Sequence, residues 1–335
     1  MRINTKMYKK AIIATMTLAS ISVANASMSD CTEAAQDKDW DRAVEYCEPL
    51  ANDSREALGY TIGGYGYFRN GKLAQKYAQE YVDKYSTKDP NKEILAGYTA
   101  SLGNYYYFGE DGADKDIQKG LKYITKGAQL GSPIAERQLG SFYGVEDSGV
   151  SKNFVLNYFW TTIAGINGDK QRAEEFNILE QKYSQFKKQY PYCIALGKSL
   201  IAESYYEGAN SLPVDKSKAM SLMTEATKLS PELSIVNFDM AKMYLEKGDN
   251  SKAYEYAQKA TKEPYAPAYQ FLAQIELQKN TDKDIIKGHL EKAIELYKKP
   301  ESKYWDKYQA PCRPDFESYP DGYDLASAEK MLASL

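Results

Sequence analysis

The chain has 335 residues, of which 43 are lysine or arginine and 46 are aspartate or glutamate, for a formal net charge of −3 at pH 7. Lysines and carboxylates alternate along the chain, which argues against a nucleic-acid partner because that partner needs a clustered basic face. A single histidine leaves little for metal or acid–base chemistry. We therefore predict no cofactor, no metal site and no catalytic residue.

Residues 1–26 are predicted to be a cleaved secretory signal. A basic head from Arg2 to Lys10 precedes an uncharged stretch at 11–23, and the small residues Ala24–Ala26 supply a cleavage site before Ser27. A membrane anchor is the alternative, but the run contains serine and threonine and is shorter than the roughly 20 apolar residues that a span needs. We expect a periplasmic protein, or alternatively a secreted one, with no stable membrane insertion after cleavage.

Cleavage changes the charge of the chain. The signal contains four basic residues and no acidic one, so 39 lysines and arginines remain against 46 carboxylates, a net charge of about −7. The mature chain is therefore more acidic than the full sequence.

The cysteines predict disulfide bonds in an exported chain. Cys31 and Cys47 lie eight residues to either side of Asp39, at a polar turn between two helical patterns, so an antiparallel hairpin would place them at the same height. Pairing Cys193 with Cys312 follows by elimination. Free buried thiols are the alternative for both pairs.

A fixed step of 37 residues between 98 and 168 is the strongest pattern in the chain. The first set is Leu102, Gly103, Tyr106, Asp116, Tyr123, Ala128 and Gly131. The second set is Leu139, Gly140, Tyr143, Asn153, Trp160, Gly165 and Gly168. Small and aromatic residues at a constant offset are typical of stacked helical hairpins with a continuous core, so we predict an all-α solenoid.

The remaining repeats set the predicted domain boundaries. Degenerate units occupy 27–90, and regular units occupy 91–230 with an additional amphipathic helix near 170–190, because the step from Asn153 to Asp215 is 62 residues. The third unit contains Gly197, Ile201, Ala202, Tyr205 and Gly208, then Asp215, Ala219, Leu222, Ala226 and Ser230. Plainer helix-turn-helix units follow at 231–299, and residues 300–335 are predicted to cap the solenoid, which as a whole spans 27–299.

Two Ser-Pro pairs predict helix starts. Serine is a common N-cap residue and proline is favoured in the first turn, so Ser132-Pro133 and Ser230-Pro231 are each expected to begin a helix.

The repeated residues resemble the Sel-like (Sel-one-like) repeat family, a branch of the tetratricopeptide superfamily. The family pattern is small-x3-Leu-Gly-x2-Tyr, and the residues that match it here are Ala135, Leu139, Gly140 and Tyr143. The sequence departs from the pattern at Glu146 and Asn157, where the family has glycine and alanine. The segment 231–297 is closer to ordinary tetratricopeptide repeats. The resemblance implies an envelope adaptor that holds other proteins. Such an adaptor is expected to place or regulate an envelope machine, such as a secretion system.

Catalytic motifs are weak. Lone His289 has no neighbouring histidine or cysteine and is expected to be a packing or surface residue. The acidic pairs Glu110-Asp111 and Glu146-Asp147 are expected to face solvent. Ser184-x-x-Lys187 matches a β-lactamase motif without its companions. Because some members of the family are described as penicillin-binding or β-lactam-hydrolysing, hydrolysis of peptidoglycan or β-lactams is the alternative function.

Tyrosine is the residue type in excess, with 30 of 335 positions. Aromatic residues one position away from the repeated core sites turn about 100° from the buried face and could anchor a protein partner. The candidate protein-binding residues are Tyr105, Tyr107, Phe142 and Tyr206. Packing against the next repeat is the alternative role, and a purely structural spacer is the alternative function.

Overall fold

A computed structural model describes residues 26–168, 184, 187–299, 312 and 320–335. The contacts divide the chain into two compact units, one ending at Ala135 and the other running from Glu136 to Leu335. The first unit contains α1 (Met28–Gln36), α2 (Trp40–Cys47), α3 (Arg55–Tyr67), α4 (Gly71–Tyr85), α5 (Lys92–Phe108) and α6 (Ile117–Gln129).

Three antiparallel hairpins, α1/α2, α3/α4 and α5/α6, stack in chain order in this unit. The Cys31–Cys47 disulfide closes the first hairpin with a Cα–Cα distance of 4.9 Å. Tyr81, Leu58 and Leu102 are almost completely buried between the later hairpins. Tyr106 and Tyr123, the repeated aromatic pair of the third hairpin, stack with ring centroids 5.9 Å apart.

The second unit follows the same plan. α7 (Pro133–Gly144) contains the boundary between the units. The other helices are α8 (Phe154–Ile166), α9 (Pro191–Glu207), α10 (Lys216–Leu229), α11 (Ser234–Glu246), α12 (Asn250–Ala260), α13 (Ala266–Gln278), α14 (Lys283–Tyr297) and α15 (Leu325–Ala333). The hairpins are α9/α10, α11/α12 and α13/α14, and α15 packs on α14. The described residues form no strand, and the predicted all-α solenoid class is confirmed.

The repeated acidic or amide residue closes the loop between the helices of a hairpin. The backbone N–H groups of Asp116, Asn153 and Asp215 donate to the carbonyls of Tyr106, Tyr143 and Tyr205, at 2.7, 2.9 and 2.8 Å. The side chains of the same three residues accept hydrogen bonds from the first turn of α6, α8 and α10. The recurring position therefore caps the second helix and fixes the loop before it.

The repeated glycine permits close contact of the two helices. A Cβ atom at Gly103 would lie 2.6 Å from the backbone nitrogen of Ile124. At the equivalent Gly140, a Cβ atom would lie 2.6 Å from Thr161 Oγ1. Any larger residue would have to separate the helices, which explains the small residue at this step of the repeat.

One of the two predicted Ser-Pro helix starts is wrong. α7 begins at Pro133, and the Ala135 N–H donates to Ser132 Oγ. Ser230, in contrast, is the C-cap of α10, and α11 begins only at Ser234. The reason is tertiary, because the Ser234 N–H donates to the carboxylate of Glu263 from a later loop, at 2.9 Å.

Several predicted segments fall outside the described residues. These are the signal at 1–26 apart from its last residue, most of the additional helix near 170–190, and most of 300–319. Cys312 is described, and its disulfide to Cys193 has a Cα–Cα distance of 5.2 Å. Both predicted disulfides are therefore present in the structure.

Candidate functional site

The two candidate anchors in the first unit lie in contacts within that unit. Tyr105 is half-buried against α3, since a Cβ atom at Gly66 would lie 3.1 Å from its phenol oxygen. Tyr107 is also half-buried and packs edge-on against Phe108, with centroids 4.7 Å apart. Burial raises the pKa of both phenols. Their surroundings match the packing role that the sequence left open.

An apolar groove lies elsewhere in the first unit. It measures about 410 Å³, and its rim includes the exposed side chains of Ile94 and Ile134. Its described lining contains no charged side chain. The groove therefore offers apolar contact area, but its lining does not indicate the chemistry of a binding partner.

Of the two candidates in the second unit, Phe142 and Tyr206, it is Tyr206 that borders a groove. Phe142 is half-buried, and its carbonyl accepts a hydrogen bond from Ser148 Oγ at 2.7 Å. Tyr206 borders two adjoining cavities between α9, α10 and α11, of about 390 and 60 Å³. We call this the α9–α11 groove, and its central lining residues are Glu203, Tyr206, Glu207, Asp239, Lys242, Met243 and Glu246.

Helical spacing brings these side chains together. Glu203, Tyr206 and Glu207 stand three and four residues apart on α9 and therefore share one face. Asp239 and Met243 do the same on α11. The small residue Ala202 faces inward and is fully buried, so the residue after it, Glu203, points towards the groove.

The floor of the groove holds a buried charged cluster. Asp239 is 5% exposed, accepts a hydrogen bond from Ser199 Oγ at 3.2 Å, and pairs with Lys242 Nζ at 3.1 Å. Burial lowers the pKa of Lys242, but the carboxyl groups of Asp239 and Glu203 more than offset this and raise it. Lys242 therefore stays charged.

Glu203 completes the floor as an acid whose protonated form is favoured by its surroundings. The residue as a whole is half-buried, but its carboxyl group is the part of the side chain that is shielded from water. Burial first, and then the charge of Asp239 and a hydrogen bond with it, raise the pKa of Glu203 well above its usual 4.5. Two facing carboxyl groups beside one ammonium favour a shared proton.

The rim of the groove is built around Tyr206. Its phenol donates to Glu246 Oε2 at 2.6 Å, and Lys216 Nζ lies 4.5 Å from its ring centroid. Lys216 Nζ is also 3.8 Å from Glu246 Oε2. Burial, and then the hydrogen bond to Glu246, raise the pKa of Tyr206 to about 12. The rim thus holds an ammonium between an aromatic ring and a carboxylate.

Of the residues that line the groove, Tyr206 was predicted from the sequence, whereas Glu203, Asp239, Lys242 and Glu246 were not. One signal could have found two of them. Glu203 and Lys242 each directly follow the small residue of a first helix, Ala202 or Ala241, at the same repeat position and with opposite charges. The pairing of Asp239 with Glu203 has no such signal, because it depends on how α11 packs on α9.

Glu203→Gln should stabilise the chain above neutral pH. The folded state holds the Glu203 proton more tightly than the unfolded state, so the stabilisation is complete below about pH 4.5 and is lost as the pH rises through the folded pKa. We expect the variant to be more stable at pH 8 by on the order of 1 kcal/mol and unchanged near pH 4.5. Urea unfolding at the two pH values measures this.

The control is Glu255→Gln on α12, where the carboxylate is exposed and pairs with Lys259. It should change stability little at either pH. A Glu203→Gln variant that is less stable at pH 8 than at pH 4.5, relative to the wild type, would contradict the shared proton.

The other residues considered for chemistry are dispersed. His289 is half-buried, with Nδ1 2.7 Å from Glu276 Oε2. Ser184 and Lys187 are both exposed. The exposed acids Asp111 and Glu146 lie 3.7 and 3.9 Å from Arg69 and Lys152.

Within the described residues, no group of three or more histidine, cysteine or acidic side chains could hold a metal ion. Among the same residues, no helix has both the length and the apolar character of a membrane span.

The stacked hairpins with a lined groove define a helical-repeat protein, a class that usually presents extended surfaces to other molecules. The family model of the Sel1 repeat matches residues 100–132, 193–231 and 237–264. These three segments are Sel1 repeats, and the resemblance noted in the sequence is confirmed for them. No curated protein matches the chain significantly.

Solved structures with related folds share little sequence with the chain. A protective antigen of uropathogenic Escherichia coli with an SLR fold is 15% identical, with 90% of this chain and 66% of that chain covered and a TM-score of 0.39. A Sel1 repeat protein from Oxalobacter formigenes is 18% identical, with 80% and 99% covered and a TM-score of 0.36. The chain thus spans 66% of the antigen's length. These values carry no argument about function.

Proposed function

We propose that this protein is an exported, periplasmic adaptor that binds another protein of the cell envelope through the α9–α11 groove and has no enzymatic activity of its own. Its role would be to place or regulate a multi-protein envelope machine, such as a secretion apparatus. The observation that carries the proposal is the lining of the groove, where Tyr206 lies beside the charged side chains of α9 and α11.

The groove has the properties of a peptide-binding surface. Tyr206 offers a large, rigid contact area at little entropic cost. Met220 and Met243 line the same groove and can adapt to different side chains. Charged residues around them would set the register of a bound segment. Because the hairpins already hold these groups in place, binding would not have to order them first.

The proposed location is supported by the sequence and by the cysteines. The basic, uncharged and small-residue stretches at 1–26 follow the order of a secretory signal. Two disulfides, with no free cysteine among the described residues, suit an oxidising compartment.

Site-specific crosslinking in intact cells tests this function. A photo-reactive amino acid at Met220, which lines the groove, should capture a discrete protein adduct that mass spectrometry identifies. The Tyr206→Ser variant should lose at least about 80% of this adduct, since it lacks the aromatic anchor. The same amino acid at exposed Lys287 on α14 is the control position.

An adduct of equal yield from Met220 and Lys287, or an adduct that Tyr206→Ser leaves unchanged, would count against a binding role of the groove. Absence of any adduct would favour the structural spacer. The processed N terminus, expected at Ser27, is read from the same sample and tests export.

A further inference from the structure

We propose that the α9–α11 groove recognises a basic segment of its partner, whose lysine or arginine side chains pair with Glu203 on the floor and with Glu246 on the rim. This inference rests on the proposed function and adds the chemistry of the partner.

The floor of the groove has one positive charge too few. Glu203 and Asp239 face each other, and Lys242 is the ammonium that pairs with Asp239 and interacts with both carboxyl groups. Burial and the charge of Asp239 raise the pKa of Glu203, which favours a proton on its carboxyl group. A guanidinium or ammonium group that entered the groove could replace this proton and would gain a charge-assisted hydrogen bond in a poorly hydrated place.

The rim already holds the type of group that we expect a partner to supply. Lys216 of the chain itself places its ammonium over the Tyr206 ring and near Glu246. Its side chain is 62% exposed, so this contact is weak and a partner's cation can displace it. The geometry shows that an aromatic face and a carboxylate are arranged together for a cation at this place.

The remaining lining favours a basic partner over an acidic one. The lining has four acidic residues, Glu203, Glu207, Asp239 and Glu246, against three lysines, Lys216, Lys242 and Lys247, and Asp239 neutralises Lys242. Met220 and Met243 offer apolar surface to the aliphatic part of a lysine or arginine side chain. The predicted excess of seven negative charges on the mature chain would steer such a segment towards the protein.

Binding should be linked to the release of a proton. The groups that face Glu203 are Glu207 on its own helix and Asp239 and Lys242 on α11. From the C-terminal segment, Tyr323 interacts with Asp239 and Lys242. A cation beside Glu203 favours its ionised form, so the complex holds fewer protons than the free protein. Affinity should therefore rise with pH until Glu203 is ionised in the free protein.

Calorimetric titration of the intact chain with a blocked peptide tests the proposal. The probe is acetylated and amidated Arg-Leu-Arg-Leu-Arg, and its matched control replaces each arginine with citrulline, which keeps the shape and removes the charge. We expect the citrulline peptide to bind at least about tenfold more weakly, and Glu203→Gln and Glu246→Gln each to weaken arginine-peptide binding by about tenfold. Glu255→Gln, outside the groove, should bind as the wild type does.

The dependence of the binding enthalpy on the buffer gives the number of protons released. We expect proton release from the wild type at a pH where Glu203 is still protonated in the free protein and none from Glu203→Gln, a readout that a general loss of stability would not produce. Equal binding of the arginine and citrulline peptides, or equal binding by Glu246→Gln and the wild type, would overturn the basic partner. If Met220 still captures a protein in cells, the adaptor function stands and only its partner chemistry is wrong.

Discussion

Gly103→Ala should strongly destabilise the first unit. The added methyl group would lie 2.6 Å from the backbone nitrogen of Ile124, 2.7 Å from its Cγ1 atom and 3.0 Å from the carbonyl oxygen of Gly120. Two of these atoms belong to the backbone of α6, so no side chain can rotate to make room. The helices must separate, at a cost of about 1–3 kcal/mol or more. Urea unfolding followed by circular dichroism measures this loss.

Gly97→Ala is the matched control, six residues earlier on the same helix. A Cβ atom at Gly97 would meet no atom within 4 Å. Alanine is the better helix former, so this variant should be more stable than the wild type by about 0.5–1 kcal/mol. Equal effects at the two glycines would show that helix propensity, rather than the α5–α6 contact, determines the result.

Removal of the Cys193–Cys312 disulfide should have the largest effect on the second unit. The bond closes a loop with a sequence separation of 119 residues. By the chain-entropy estimate, a loop of this size contributes about 4–5 kcal/mol by restricting the unfolded chain. The Cys193→Ser/Cys312→Ser double variant should therefore lose about 2–5 kcal/mol. Repeat proteins can unfold in parts, so the loss of stability should be measured locally. Hydrogen exchange of the α9 amides provides this measurement.

The Cys31–Cys47 disulfide provides the comparison, since its sequence separation is only 16. Its loss should cost about 3 kcal/mol and should be measured on the amides of α1 and α2. Exchange as slow as in the wild type for both double variants would contradict the prediction. It would indicate that the two loops are already restricted in the unfolded chain without the disulfides.

The repeats were predictable because they depend on short-range steric rules. Gly103 and Gly140 recur where helices meet, and Asp116 and Asn153 recur where a helix must be capped. Each of these roles needs one residue type at one place in a hairpin. The Cys31–Cys47 pairing was predictable for the same reason, since a short hairpin leaves little choice of partner.

The site was less predictable because its residues come from different repeats. Periodicity places Tyr107 and Tyr206 at the same position after the core tyrosine, yet Tyr107 packs edge-on against Phe108 while Tyr206 borders a groove. The start of α11 shows the same effect, since Glu263 and not Ser230 accepts a hydrogen bond from the N–H of its first residue, Ser234. In each case the neighbouring helix or loop decides the role.

By itself, the sequence determined the all-α repeat architecture and the cysteine pairs, because both follow from steric contacts within one hairpin or from the count of thiols. Only the tertiary structure decided that Glu203 faces Asp239 and Lys242, and that Tyr206 donates to Glu246. The reason is the long range of these contacts. A carboxyl group favours its protonated form when packing removes water and brings a second carboxylate beside it, and for Glu203 that carboxylate is Asp239 on a different hairpin.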